Sequence, residues 1–191
     1  MKGGKVDRRV KYTKLALRQS LLELMKDRPI GKLTVTDICN HADINRNTFY
    51  AHYASPYDLL SQIEDELFDQ IHSSLERSLQ TQTISTLLVE ICQSIQENGD
   101  LCKILISEHG DKEFLKRVVY IAHGKSISEW KTRAKTADVE QLELLYTFAA
   151  NGSVAVIESW LQDGMRKSPE EIAAFIEKVS NCGQQAFLNE G

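Results

Sequence analysis

Arg46, Asn47 and Thr48 follow one another directly behind Asn45, a residue that caps helices well, so they fall on the first turn of a short helix. Those three side chains suit the edges of base pairs. An arginine pairs bidentately with guanine, an asparagine with adenine, and a threonine methyl packs on the methyl of thymine. Tyr50, His52 and Thr34 add hydrogen-bond donors of the kind that hold phosphate oxygens, and the N–H groups at a helix start do the same. Other chemistry is poorly served. His41, His52, His72, His109 and His123 are scattered, and Cys39 and His41 are two apart and face different sides of a helix. No nucleophile elbow, zinc-protease pair or glycine-rich phosphate loop occurs, so neither an enzyme nor a cofactor or metal site is expected. Cys39, Cys92, Cys102 and Cys182 form no closely spaced pair and read as buried, reduced thiols.

The elements that would position this set are short and well marked. Thr34 caps one helix, with Asp37 three residues on completing a box and Val35, Ile38 and Cys39 facing inward. That helix stops near Ala42, a turn at Asp43 and Ile44 follows, and the second helix runs from Arg46 to about Tyr53. Phe49 and Tyr53 are spaced as core aromatics. Ahead of the pair, residues 7–27 place Leu17, Leu21, Leu24 and Met25 on one face of a helix ended by Pro29 and Gly31. Behind it, Ser55-Pro56 starts a long helix to about Gln80, with a stripe of Leu60, Ile63, Leu67, Ile71 and Leu75. Further helices are expected at about 84–97, 100–109, 112–132 and 138–163, with Gly99, Gly110 and Gly164 as stops. A last one starts at Ser168-Pro169-Glu170-Glu171. The fold class is therefore all-α, with about nine helices: a three-helix head carrying a helix-turn-helix, a long connecting helix, and a helical bundle.

The charge is divided in the same way. Residues 1–54 hold 11 Lys+Arg against 5 Asp+Glu, whereas 55–191 hold 12 against 22, a basic head on an acidic body. No window is apolar enough to span a membrane, and the start of the chain has no secretory apolar core, so a cytoplasmic location is expected.

Thr34-Val35-Thr36-Asp37-Ile38, Ala42, Ile44, Arg46, Thr48-Phe49-Tyr50, His52 and Tyr53 together resemble the helix-turn-helix of the TetR family of bacterial regulators, in spacing as well as in residue type. The resemblance covers about residues 8–68, with the motif at 33–53. It implies a DNA-binding domain there and a dimerisation and ligand-binding domain over 69–191. It also implies double-stranded DNA as partner, contacted by Thr34, Thr36, Asn45, Arg46, Asn47, Thr48, Tyr50 and His52. Two positions depart from the pattern: Pro56 replaces a lysine that touches phosphate in many members, and Asp43 replaces a turn glycine. More weakly, Phe148, Gly152, Trp160-Leu161, Gly164-Met165 and Ser168-Pro169-Glu170-Glu171 resemble the branch that includes regulators of dihydroxyacetone-kinase operons. The family usually dimerises through its last two helices, which here would use Ala149, Gly152, Ser153, Val156, Phe175 and Val179. Trp130, Tyr146 and Trp160 are the candidates to line a pocket for a small-molecule effector. The function expected is that of a homodimeric repressor on a palindromic operator. The alternative is a TetR-like coactivator acting through protein–protein contacts.

Overall fold

A computed structural model of the chain describes residues 8–107, 113–133 and 138–188. The stop expected at Gly110 lies outside them. Among the described residues there is no strand, and ten α-helices follow in order: α1 Arg8–Met25, α2 Val35–Ala42, α3 Arg46–Tyr50, α4 Pro56–Thr81, α5 Ile84–Glu97, α6 Gly99–Ile106, α7 Glu113–Tyr120, α8 His123–Arg133, α9 Val139–Gln162 and α10 Pro169–Leu188. A single 3-10 turn, Ile30–Lys32, joins α1 to α2. None of the described helices is long and apolar enough to cross a membrane.

The chain divides into two compact units. Residues 8–67 with 104–107 belong to the first, and 68–103 with 113–188 to the second, so the dividing point falls inside α4. In the first unit Leu17, Leu21 and Met25 of α1 are wholly buried, as are Ile38 and Phe49, with Leu59, Leu60, Ile63 and Leu67 of α4 nearly so. These positions recur at three and four residues, the spacing that keeps one helix face turned to a core. His41 of α2 pairs through Nδ1 with the buried Ser20 hydroxyl of α1, 3.1 Å away.

In the second unit α5 packs on α10, and α7 and α8 pack on α9. The start of α10 is closed by a reciprocal cap. The Ser168 N–H donates to Glu171 Oε2 at 2.8 Å and the Glu171 N–H to Ser168 Oγ at 3.2 Å. At the end of α9, Gly164 and Met165 both take left-handed backbone, φ 79° and 57°. The Met165 N–H returns to the Trp160 carbonyl at 2.9 Å, a closure of the Schellman kind.

Three expectations need correcting. Where one helix was expected over 112–132, the described residues form two, α7 and α8, because the chain turns at Ile121–Ala122. There the Ala122 N–H closes on the Val119 carbonyl at 3.2 Å, and the buried Tyr146 hydroxyl donates to that same carbonyl at 3.1 Å. Gly99 does not stop α5; Asn98 is its C-cap and Gly99 opens α6. The thiols are not all buried: Cys39, Cys92 and Cys102 are, and burial pushes Cys92 and Cys102 up to about 12, but Cys182 is exposed on α10.

Candidate nucleic-acid interface

The start of α2 is held by a complete capping box. Thr34 Oγ1 accepts the Asp37 N–H at 3.1 Å and gives its own proton to Asp37 Oδ2 at 2.6 Å, while the Thr34 N–H donates to Asp37 Oδ2 at 2.9 Å. Those bonds from the Thr34 hydroxyl and N–H, with Arg28 behind them, hold the Asp37 carboxyl below its usual 3.8. Asp43 ends the helix in the left-handed region, φ 53° and ψ 44°, which aspartate tolerates better than most residues other than glycine. The Ile44 N–H then closes on the Cys39 carbonyl at 2.9 Å.

Asn45 is the N-cap of α3, its side-chain oxygen accepting the Asn47 N–H at 2.8 Å. α3 ends at Tyr50 rather than Tyr53, with its last turn closed by the His52 and Tyr53 N–H groups on the Phe49 carbonyl, both at 2.9 Å. Phe49 is the buried residue of this helix, and its ring meets Tyr50 edge-on at 5.7 Å and Tyr53 at 5.6 Å. The helix is thus pinned by one aromatic, and most of the rest of it faces outward. Asn45, Arg46, Asn47 and Tyr50 are exposed, Thr48 and His52 are half-buried, and Thr34 and Thr36 are exposed on the α2 side. All eight expected contact residues therefore lie on or beside one helix–turn–helix, within one compact unit.

The candidates in the second unit fall into two places. Trp130 and Tyr146 line a cavity of about 50 Å³ between α5, α8, α9 and α10, together with Ile84, Leu88, Ser126 and Glu177. Trp160 does not line it. Its indole Nε1 donates to the Lys167 carbonyl at 2.8 Å, and it borders a separate open groove beside Phe175 and Ile172. Ala149, Gly152, Ser153, Val156, Phe175 and Val179 come together along one groove of about 170 Å³ on the α9–α10 pair. Sequence reasoning missed the large apolar residues that stand out on this pair, Leu144 at 66% and Phe148 at 74% exposed, alongside Phe175 at 55%.

The family profile described as "Transcriptional regulator C-terminal region", of TetR type, matches residues 82–182, more than half of the chain. The chain belongs to the TetR family of transcriptional regulators. No curated protein matches it by sequence. Several solved structures share the fold. A TetR transcriptional regulator from Streptococcus agalactiae 2603V is 23% identical with a TM-score of 0.68, over 91% of this chain and 96% of that one. The dihydroxyacetone kinase operon activator DhaS is 17% identical with a TM-score of 0.59, over 91% and 97%. The fatty acid degradation regulator FadR of Bacillus halodurans is 11% identical with a TM-score of 0.63, over 94% and 96%. The all-α fold with a helix-turn-helix near the N-terminus is therefore that of a TetR-family regulator.

Proposed function

We propose that this TetR-family regulator binds a palindromic operator as a homodimer and acts in the cytoplasm as a repressor. In this reading 8–68 is the DNA-binding domain, and 69–191 serves dimerisation and ligand binding. One observation carries the DNA reading: α3 buries Phe49 alone and turns Arg46, Asn47 and Tyr50 to solvent, on a helix capped by Asn45 and aimed by the left-handed turn at Asp43. Arg46 and Asn47 read base edges in the major groove, with Thr48 against a thymine methyl. Thr36, Asn45, Tyr50 and His52 hold the sugar-phosphate backbone, while Thr34, whose hydroxyl proton goes to Asp37, fixes the start of α2 beside them.

Dimerisation is supported by the exposed apolar residues of α9 and α10, since Leu144, Phe148, Phe175 and Val179 are costly to leave in water and lie on the one helix pair. A twofold dimer presents two heads, so its half-sites lie about one helical turn, ~34–36 Å, apart. The effector reading rests on the cavity at Trp130 and Tyr146. Its 50 Å³ holds a few waters, whereas ligand sites of drug-like size run to roughly 300–1,000 Å³, so an effector of that size opens the site as it enters.

The deciding experiment is selection of duplexes from a random pool by the full-length chain, followed by competition of the selected duplex against a scrambled one. Arg46→Ala and Asn47→Ala each cost about 1–3 kcal/mol on the selected duplex and little on the scrambled one. Equal losses on both remove Arg46 and Asn47 from base reading. A chain that enriches no sequence and binds neither duplex is instead a TetR-like coactivator working through protein contacts.

A further inference from the structure

The rim where α2 begins holds a polar group that none of the assignments above uses. Tyr57, the second residue of α4, is 58% exposed, and its hydroxyl makes no hydrogen bond among the described residues. That hydroxyl stands close to Gly31 of the 3-10 turn. A Cβ on Gly31 would come within 3.0 Å of it. Gly31 does not occupy left-handed backbone, so what a side chain there meets is the phenol tip, which would have to give way by a few tenths of an ångström. The base of the Tyr57 side chain is fixed. Pro56 sets the backbone at the first position of α4, and Asp58 is turned away, its Oδ2 accepting the Ala54 N–H at 2.7 Å and its Oδ1 the Gln62 amide at 3.3 Å.

Gly31 is one residue before the exposed Lys32 and three before Thr34, so the phenol tip stands beside the entrance to α2. Thr34 cannot offer its hydroxyl proton outward, since it is spent on Asp37 at 2.6 Å. A phosphate arriving at this rim therefore meets in the Tyr57 hydroxyl a side-chain donor that no bond within the described residues occupies. A phenol has few rotatable bonds, so its tip loses little freedom when it binds.

We propose that Tyr57 donates a hydrogen bond from its hydroxyl to a backbone phosphate of the bound duplex, and that Gly31 is the positioning residue that leaves space for it. The assignment rests on the DNA reading given above. It adds a contact that is indifferent to sequence and that carries no charge.

Three variants of the full-length chain test it: Tyr57→Phe, Gly31→Ala and the two combined. Anisotropy titrations use the selected and the scrambled duplex. Tyr57→Phe should weaken both by a similar factor, roughly tenfold for a lost hydrogen bond to an anion. The slope of affinity against salt should stay at the parental value, because no cation is removed. Gly31→Ala should weaken both duplexes in the parent but add nothing in the Tyr57→Phe chain, where the atom it crowds is gone. Tyr57→Phe should also melt like the parent, since the hydroxyl has no partner within the protein. Parental affinity in Tyr57→Phe overturns the assignment, and so does a loss confined to the selected duplex or an undiminished Gly31→Ala effect in the double variant. If the parent binds neither duplex, the DNA reading itself falls and this contact with it.

Discussion

Phe49→Ala tests whether a five-residue reading helix is held by a single side chain. Isolated helices shorter than about 12–15 residues are marginal in water, so α3 owes its existence to what it buries. It buries Phe49 at 0% exposure, between the rings of Tyr50 and Tyr53. Removing a buried phenylalanine side chain costs about 3–5 kcal/mol, against a total stability of roughly 5–15 kcal/mol for an ordinary domain. Residues 45–53 form the segment that this ring anchors to the core, so their local opening takes up a share of that loss.

The assay is hydrogen exchange at the amides that close this turn, the N–H groups of Thr48, Phe49, His52 and Tyr53. At about 1.4 kcal/mol per factor of ten, 3–5 kcal/mol accelerates exchange there by up to roughly two to four orders of magnitude, limited by the unprotected rate. Affinity for the selected duplex falls in proportion to the closed fraction that remains. Phe49→Leu, which keeps most of the volume, should cost about 1 kcal/mol and leave binding largely intact. Parental exchange at these four amides in Phe49→Ala, with binding retained, would refute the claim that burial of this ring positions the reading helix.

Two further outcomes follow from the same geometry. Phe148→Glu, on a side chain 74% exposed, should turn a dimer into a monomer by sedimentation and reduce operator affinity without unfolding the chain; a variant that stays dimeric removes the α9–α10 face from the interface. The Asp37 carboxyl is lowered from 3.8 by its bonds from Thr34, so the ionised group stabilises the fold at pH above that value, and the contribution is lost as pH falls through the lowered value. Asp37→Ala should therefore destabilise the chain most at neutral pH, and its deficit in urea melts should shrink in acid; a deficit constant with pH would show that the carboxylate charge is not what closes the cap.

How much of this was legible in the sequence depends on whether the cause was local. The caps at Thr34, Asn45 and Ser168 and the left-handed Asp43 act within a few residues of themselves, and the helix starts they mark fall where expected. The break between α7 and α8 has a distant partner. Neither Ile121 nor Ala122 is a helix breaker, and the Tyr146 bond to Val119 and the His123–Glu143 pair at 2.8 Å come from α9. Grouping Trp160 with Tyr146 was avoidable. Fourteen residues of one helix separate them by about 21 Å along its axis, too far for a cavity of 50 Å³ to reach both. The outward Leu144 and Phe148 and the exposed Tyr57 were not readable, because residue type does not say which apolar face of a helix the rest of the chain leaves uncovered.

The placement of the body's two candidate sites has a physical consequence for regulation. Ala149 and Ser153 of α9, with Ile176 and Ser180 of α10, border both the cavity at Trp130 and Tyr146 and the groove that carries Phe175 and Val179. One layer of side chains, small on α9, is the wall between them, and the Ser153 hydroxyl is turned back on the Ala149 carbonyl at 2.7 Å, so it tethers nothing across the gap. A molecule larger than the present 50 Å³ must move that wall outward or part α9 from α10, since packed helices do not yield continuously. Either movement alters the face on which a second copy would rest. Linkage then requires the reverse: whatever fixes the spacing of α9 and α10 in a dimer changes the affinity of the cavity by the same factor. If an effector enters the cavity and two chains pair on this face, the small residues of α9 are where the two events are energetically joined.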